Sequence, residues 1–193
     1  MRLSILDRGH GLGTKALFAL IGAASRQPVL DIIKLVKYRA EFYGTPMSAV
    51  THEAMRGPSE WSVGDRELMA AIVAQANACT FCIEAHSAVA RLAYADEAKV
   101  AAVLADLDSA KIPESLRATL RMLRKLCSDH SISAEDMRVV LAAGVSRKQI
   151  EDALAVAFAF DTTTRLAEAF GFAIPSAQAM NAGAKFLLAR GYR

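Results

Sequence analysis

Helix-start signals punctuate this 193-residue sequence from end to end, and they constrain its fold more than any other feature. In a capping box, a Ser or Thr side chain accepts the backbone N–H three residues on, and the side chain at that position returns the bond. No segment shows the polar and apolar alternation of a strand flanked by hairpin signals. The chain is therefore predicted to be all-α. Capping boxes precede apolar runs at three places, Ser62 with Asp65, Ser133 with Asp136, and Ser146 with Gln149.

Further caps, glycines and prolines set the limits of the other predicted helices. We expect Thr14 to cap the first helix, Gly44 to stop the second, and Thr80 to cap the helix that follows a turn near Asn77. The predicted helices span about residues 14–25, 28–44, 47–56, 62–78, 80–93, 96–107, 113–126, 137–143, 150–170 and 176–190. No long linker separates them, so a single domain is expected over residues 1–193.

Composition excludes several classes of protein. Hydrophobic residues make up 53% of the chain and charged residues 22%, which is enough to bury a core and argues against disorder. A net charge of +3 gives little attraction to nucleic acid, whose binders usually carry dense basic clusters. The apolar stretch from Ala16 to Ala24 is about half of the roughly 20 residues that a membrane span needs. We therefore expect the protein to bind neither nucleic acid nor a membrane. We also expect a cytoplasmic location.

Two of the three cysteines form the motif Cys79-Thr80-Phe81-Cys82, with His86 four residues further on. On a helix these three side chains fall on one face, with Cys82 and His86 one turn apart. A thiol reacts as its thiolate, and a helix N-terminus or a basic imidazole lowers its pKa. Cys82 is therefore predicted to be a nucleophile. Cys79 is close enough in sequence to attack an oxidised sulfur and form a disulfide.

Two other interpretations of the cysteines remain. Cys127 and His130 have the spacing of half a zinc site, but 44 residues, 83 to 126, separate them from Cys82. Zinc ligand pairs are usually about 12 to 20 residues apart, so we expect no metal and no other cofactor. Alternatively, Cys79 and Cys82 are small buried core residues beside a surface histidine.

Glu67 adds the feature that discriminates among these interpretations. It precedes Cys79 on the previous predicted helix, and a tight turn near Asn77 brings it back beside His86, where its carboxylate raises the basicity of the imidazole. The spacing from Glu67 through Cys79 and Cys82 to His86 resembles the signature of the alkylhydroperoxidase D-like (AhpD-like) proteins of the carboxymuconolactone decarboxylase superfamily.

Segments outside this motif extend the resemblance to about residues 30–175 and to the peroxidase-related branch of the superfamily. They are Tyr43-Gly44-Thr45-Pro46, Arg56-Gly57-Pro58-Ser59, Ala157-Phe158 and Arg165-Leu166-Ala167. The resemblance implies an all-α AhpD-like multi-helix bundle that forms a homo-oligomer. It also implies a peroxiredoxin-like enzyme that reduces a small hydroperoxide with electrons from a dithiol donor, such as a dihydrolipoyl protein.

The resemblance further implies a role for each motif residue. Cys82 is the peroxide-reactive thiol, Cys79 the resolving thiol, His86 the base that activates Cys82, and Glu67 the relay partner of His86. The chain departs from the family pattern at Phe81, where alkylhydroperoxidase D has a second histidine between the cysteines. This departure puts a complete proton relay and a high peroxidase rate in question.

Two other functions use the same residues. In an acid/base enzyme such as a lactone decarboxylase, His86 and Glu67 do the chemistry and the thiols are incidental. In a thiol redox sensor, Cys79 and Cys82 are oxidised without turnover. His52, on the predicted helix 47–56, is expected to be solvated or to act as a cap.

The apolar content also predicts self-association. A hydrophobic fraction of 53% exceeds what a single core of this size commonly needs. The predicted helical faces at residues 29–36 and 177–188 are expected to pack between copies of the chain.

Overall fold

All regular structure in residues 1–192, the part of the chain that this computed structural model describes, is helical. The all-α prediction is therefore confirmed. A π-helix (Ala40–Gly44) lies between the third and fourth α-helices. The α-helices are α1 (Ile5–Arg8), α2 (Leu12–Ser25), α3 (Asp31–Tyr38), α4 (Thr45–Arg56), α5 (Val63–Ala76), α6 (Thr80–Tyr94), α7 (Glu97–Ala105), α8 (Glu114–Asp129), α9 (Ala134–Ala142), α10 (Arg147–Phe170) and α11 (Ala177–Arg190).

Helix α5 lies at the centre of the fold. It packs against α4, α6, α7, α8 and α10, and an unbroken run from Arg66 to Ala74 is buried. A helix that is buried on all sides has no polar face, which explains why most of this run is apolar. Two charged residues, Arg66 and Glu67, interrupt it and must find partners inside the protein.

The capping signals place most helix starts correctly. All three predicted capping boxes form, and they begin α5, α9 and α10. Asp96 caps α7 and Ser176 caps α11, as their positions before apolar runs predict. Gly171, with a φ of 61°, ends α10 in the left-handed conformation that glycine adopts readily.

Three predicted boundaries are wrong. Gly44 does not stop a helix, because its backbone is helical and joins the π-helix to α4. Thr14 lies inside α2, whose N-cap is Gly11. The N-cap of α6 is Cys79 instead of Thr80, which shifts the motif by one position along the helix.

Helix α2 packs loosely on the rest of the described chain. None of its residues is buried there, and its Leu12 and Leu20 are 86% and 66% exposed. The predicted interface segment at 177–188 belongs to α11, which packs on α6 and buries Ala179 and Ala184 within the described chain. Within residues 1–192, no helix combines the length and hydrophobicity needed to cross a membrane.

The π-helix generates a stability prediction. A Cβ added at Gly44 would overlap the backbone carbonyl of Val36, whereas a Cβ at Gly13, on α2, would meet no atom within 4 Å. We expect Gly44→Ala to lower the free energy of unfolding by about 2–3 kcal/mol or more through overpacking. The control, Gly13→Ala, should leave it unchanged or raise it by up to about 1 kcal/mol, because Gly13 lies in the first turn of α2 and alanine is the better helix former. Urea denaturation measures both, and equal stabilities would contradict the backbone path described here.

Candidate active site

The two motif cysteines lie at the start of α6, directly after a tight turn. Asn77 ends α5, Ala78 takes the left-handed conformation with a φ of 53°, and Cys79 becomes the N-cap of α6. Cys82 follows in the first turn of that helix. The predicted turn near Asn77 is therefore confirmed, and both sulfurs lie where the helix dipole favours negative charge.

Both thiols are free, buried and close to each other. Cys79 is 0% exposed and Cys82 is 1% exposed, and they pack with Ala74, Phe81 and Ala167. A hydrogen bond from the Cys82 thiol lowers the pKa of Cys79. The same hydrogen bond, together with burial, raises the pKa of Cys82. The first proton lost by the pair therefore leaves its charge on Cys79, whereas the sequence predicted a lowered pKa for Cys82.

Glu168, on the last turn of α10, is a second influence on the thiols. Its carboxylate raises the pKa of both Cys79 and Cys82. It also lines an open cleft of about 570 Å³ together with Asn77 and Ala78, the residues that precede Cys79. The Glu168 carboxylate is exposed at this cleft. It therefore places negative charge at the border between solvent and the buried thiol pair.

Glu67 and His86 meet as the sequence predicted. Glu67 Oε2 lies 2.8 Å from His86 Nδ1, with the carboxylate 0% exposed and the imidazole almost completely buried. The contact fixes the orientation of the imidazole ring. The other ring nitrogen, Nε2, makes no contact with Glu67. Phe160 packs edge-on against the same ring, with 4.2 Å between the centroids.

Two further residues hold the Glu67 carboxylate. Arg56 Nη2 donates to Glu67 Oε1 at 2.7 Å, and the Tyr192 hydroxyl donates to the same oxygen at 2.9 Å. Burial and the neighbouring carboxylate raise the pKa of Tyr192 well above its ordinary value, so the phenol keeps its proton. The buried carboxylate therefore has a full set of donors.

Gly191 allows Tyr192 to reach this position. Its φ is 71°, and a Cβ there would lie 2.7 Å from His52 Nδ1. The Tyr192 backbone N–H donates to that same nitrogen at 3.2 Å. His52 thus supports the segment that carries Tyr192, instead of being the solvated or capping side chain that we expected.

One face of α10 lies along the site for two helical turns. Phe160 contacts His86, Thr163 lies near Tyr43, and Ala167 packs against the cysteines. These residues are three and four positions apart, which places them on one side of a helix. Phe158 lies on another side and is 62% exposed.

The remaining sequence candidates are not members of the buried cluster that holds the two thiols. Cys127 and His130 line the open cleft, and burial raises the pKa of Cys127 to about 11. Among the described residues, no three His, Cys, Asp or Glu side chains are grouped closely enough to hold a metal ion. Glu84 is exposed on α6.

Comparison with known proteins agrees with this architecture. Residues 43–125 match the model of the carboxymuconolactone decarboxylase family, a segment that includes Glu67, both motif cysteines and His86. This segment of the chain is therefore similar to that family. Among curated proteins, no sequence matches the chain.

Two solved structures share the fold of this chain over nearly its whole length. An uncharacterized peroxidase-related protein from Silicibacter sp. TM1040 is 23% identical, covers 92% of each chain and gives a TM-score of 0.76. An uncharacterized peroxidase-related protein from Ralstonia eutropha JMP134, with an alkylhydroperoxidase AhpD core, is 20% identical, covers 93% of each chain and gives a TM-score of 0.74. At these identities the likeness shows the AhpD-like fold.

The position of Glu168 leads to a prediction about thiol ionisation. Because its carboxylate raises the pKa of Cys79, Glu168→Gln should lower that pKa and give more thiolate at a given pH. The thiolate absorbance in the ultraviolet, followed against pH in a Cys127→Ser background, should shift to lower pH.

Glu84→Gln is the matched control, because it removes the same charge from an exposed site on α6. Its titration should coincide with that of the unaltered pair. A shift to higher pH in Glu168→Gln, or equal shifts in both variants, would contradict the placement of Glu168.

Proposed function

We propose that the protein is a thiol-dependent hydroperoxide reductase. The observation that carries the proposal is the hydrogen-bonded pair Cys79 and Cys82 at the start of α6, with His86 one turn further along the same helix and held by Glu67 of α5. A dithiol beside a buried base is suited to a two-electron redox cycle. The peroxidase-related proteins that share the fold support the same chemistry.

In the first half of the proposed cycle, His86 Nε2 takes the proton of the Cys82 thiol. The Cys82 sulfur attacks the distal oxygen of the hydroperoxide, so that an S–O bond forms and the O–O bond breaks. The alkoxide leaves and takes the proton from His86, giving an alcohol and a sulfenic acid. Sulfur is oxidised by two electrons and the peroxide is reduced by two.

In the second half, the Cys79 thiolate attacks the sulfenic sulfur. An S–S bond forms, the S–O bond breaks, and the departing hydroxide is protonated to water. The lowered pKa of Cys79 suits this step, because the attacking group must be a thiolate. A dithiol donor then reduces the disulfide by two exchange steps and leaves as its own disulfide. We propose that it approaches through the cleft lined by Ala78 and Glu168.

Self-association and a cytoplasmic location complete the proposal. The apolar helix α2, which buries none of its residues within the described chain, supports a homo-oligomer of at least twice 20.7 kDa. A thiol pair that must be reduced in each cycle fits a reducing compartment.

The second candidate function is acid/base catalysis. The family model that matches residues 43–125 is named for a decarboxylase, and the buried Glu67–His86 pair favours proton transfer without any thiol. In that case the cysteines have no chemical role. Replacing them separates the two candidates.

Peroxide consumption with a dithiol donor tests the proposed function. With hydrogen peroxide or cumene hydroperoxide, and dithiothreitol or dihydrolipoamide as donor, the unaltered protein should turn over. Cys82→Ser and Cys79→Ser should each lose about 100-fold or more of this rate, because each removes a reacting sulfur. Cys127→Ser is the matched control and should stay within about 2-fold, since this third buried cysteine lies outside the pair.

Two outcomes would contradict the proposal. Oxidation of Cys79 and Cys82 without turnover, whichever donor is present, would indicate a redox sensor. Turnover that survives both serine substitutions would show that the thiols are not the reacting groups.

A further inference from the structure

The Tyr43 hydroxyl is a buried polar group without a hydrogen bond. It ends the aromatic side chain of the π-helix residue that precedes Gly44, and it is sealed from solvent. The Thr163 hydroxyl lies nearby, but the two make no well-formed bond, and Thr163 donates its own proton to the Ala159 carbonyl at 2.8 Å. An unpaired buried hydroxyl destabilises the folded state, so its presence needs an explanation.

The backbone holds Tyr43 firmly in this position. The π-helix passes so close to Val36 that only glycine fits at position 44. π-Helices are rare and often occur at functional sites, where they redirect a side chain. The hydroxyl is therefore kept inside although it gains no partner there.

The hydroxyl faces the region of the reactive thiol. Thr163, its neighbour, lies one turn before Ala167 on the same face of α10, and Ala167 belongs to the buried cluster that contains Cys82. Burial raises the pKa of Tyr43, and charge on Cys82 adds to that effect. The phenol therefore keeps its proton throughout the cycle and acts as a hydrogen-bond donor.

We propose that Tyr43 donates a hydrogen bond to the hydroperoxide oxygen that leaves when Cys82 attacks, which makes it a further catalytic residue of the proposed peroxide reduction. As the O–O bond breaks, negative charge collects on the departing oxygen. A donor already fixed in a water-poor site stabilises that charge without reorganising. No proton is transferred from Tyr43, because the leaving oxygen takes its proton from His86.

Single-turnover kinetics test this role, with Tyr43→Phe against the unaltered protein. The first measurement is the rate of loss of Cys79 and Cys82 thiols after one equivalent of cumene hydroperoxide. The second is the rate at which dithiothreitol reduces the disulfide, a step that does not involve the peroxide. Tyr43→Phe should slow oxidation by about 10- to 100-fold and leave reduction unchanged. Its melting temperature should be equal or higher, because the variant removes an unpaired buried hydroxyl.

Tyr38→Phe is the matched control, because it deletes a tyrosine hydroxyl on α3, outside the thiol cluster. The Cys79 and Cys82 thiols of Tyr38→Phe should be oxidised at the same rate as those of the unaltered protein. Equal oxidation rates for Tyr43→Phe and the unaltered protein would overturn the role of Tyr43 and leave the proposed function standing. Slower reduction in Tyr43→Phe, or slow oxidation in Tyr38→Phe as well, would also overturn it by showing a general structural effect. If the unaltered protein is not oxidised at all, the proposed function fails and the role of Tyr43 fails with it.

Discussion

The buried carboxylate of Glu67 is the interaction on which the site depends. A carboxylate with no exposed surface is very costly unless charged or polar donors surround it, and here the donors come from separate parts of the chain. Arg56 comes from α4, His86 from α6 and Tyr192 from the segment after α11. Satisfying this one charge therefore fixes the relative positions of these elements around α5. The same contacts orient the His86 imidazole.

The two thiols differ in pKa because of their positions at the start of α6. The residue before the first helical turn, Cys79, accepts a hydrogen bond, and the residue inside that turn, Cys82, donates it. Cys79 therefore has the lower pKa of the two thiols and Cys82 the higher. Removing the Cys82 proton requires a base, and His86 lies one turn along the helix from Cys82. The phenylalanine between the cysteines packs against Phe172 and supplies no second imidazole.

Short-range signals in the sequence predict much of this structure. Capping boxes depend on residues three apart, so Ser62, Ser133 and Ser146 mark helix starts without any tertiary knowledge. The meeting of Glu67 and His86 is predictable for a similar reason, because a single tight turn links their helices.

Contacts between distant segments are not predictable in this way. Tyr192 and Glu67 are 125 residues apart in the sequence, and the local sequence around neither residue predicts their contact. Arg56 belongs to a motif that supports the family resemblance, but its role as the partner of Glu67 requires the packing of α4 on α5. Tyr43 and Glu168 are likewise brought to the thiols by α10 and the π-helix. Gly44 misled the helix prediction because the close approach of Val36, instead of a chain turn, is what requires glycine there.

The central claim is that Cys82 is the sulfur that peroxide oxidises, although Cys79 carries the lower pKa. Trapping the sulfenic acid tests it most directly. Cys79→Ser and Cys82→Ser are each treated with one equivalent of hydrogen peroxide in the presence of dimedone, and the adduct is located by peptide mass spectrometry. We expect an adduct on Cys82 in Cys79→Ser and none on Cys79 in Cys82→Ser. An adduct on Cys79, or no adduct on Cys82, would contradict the claim.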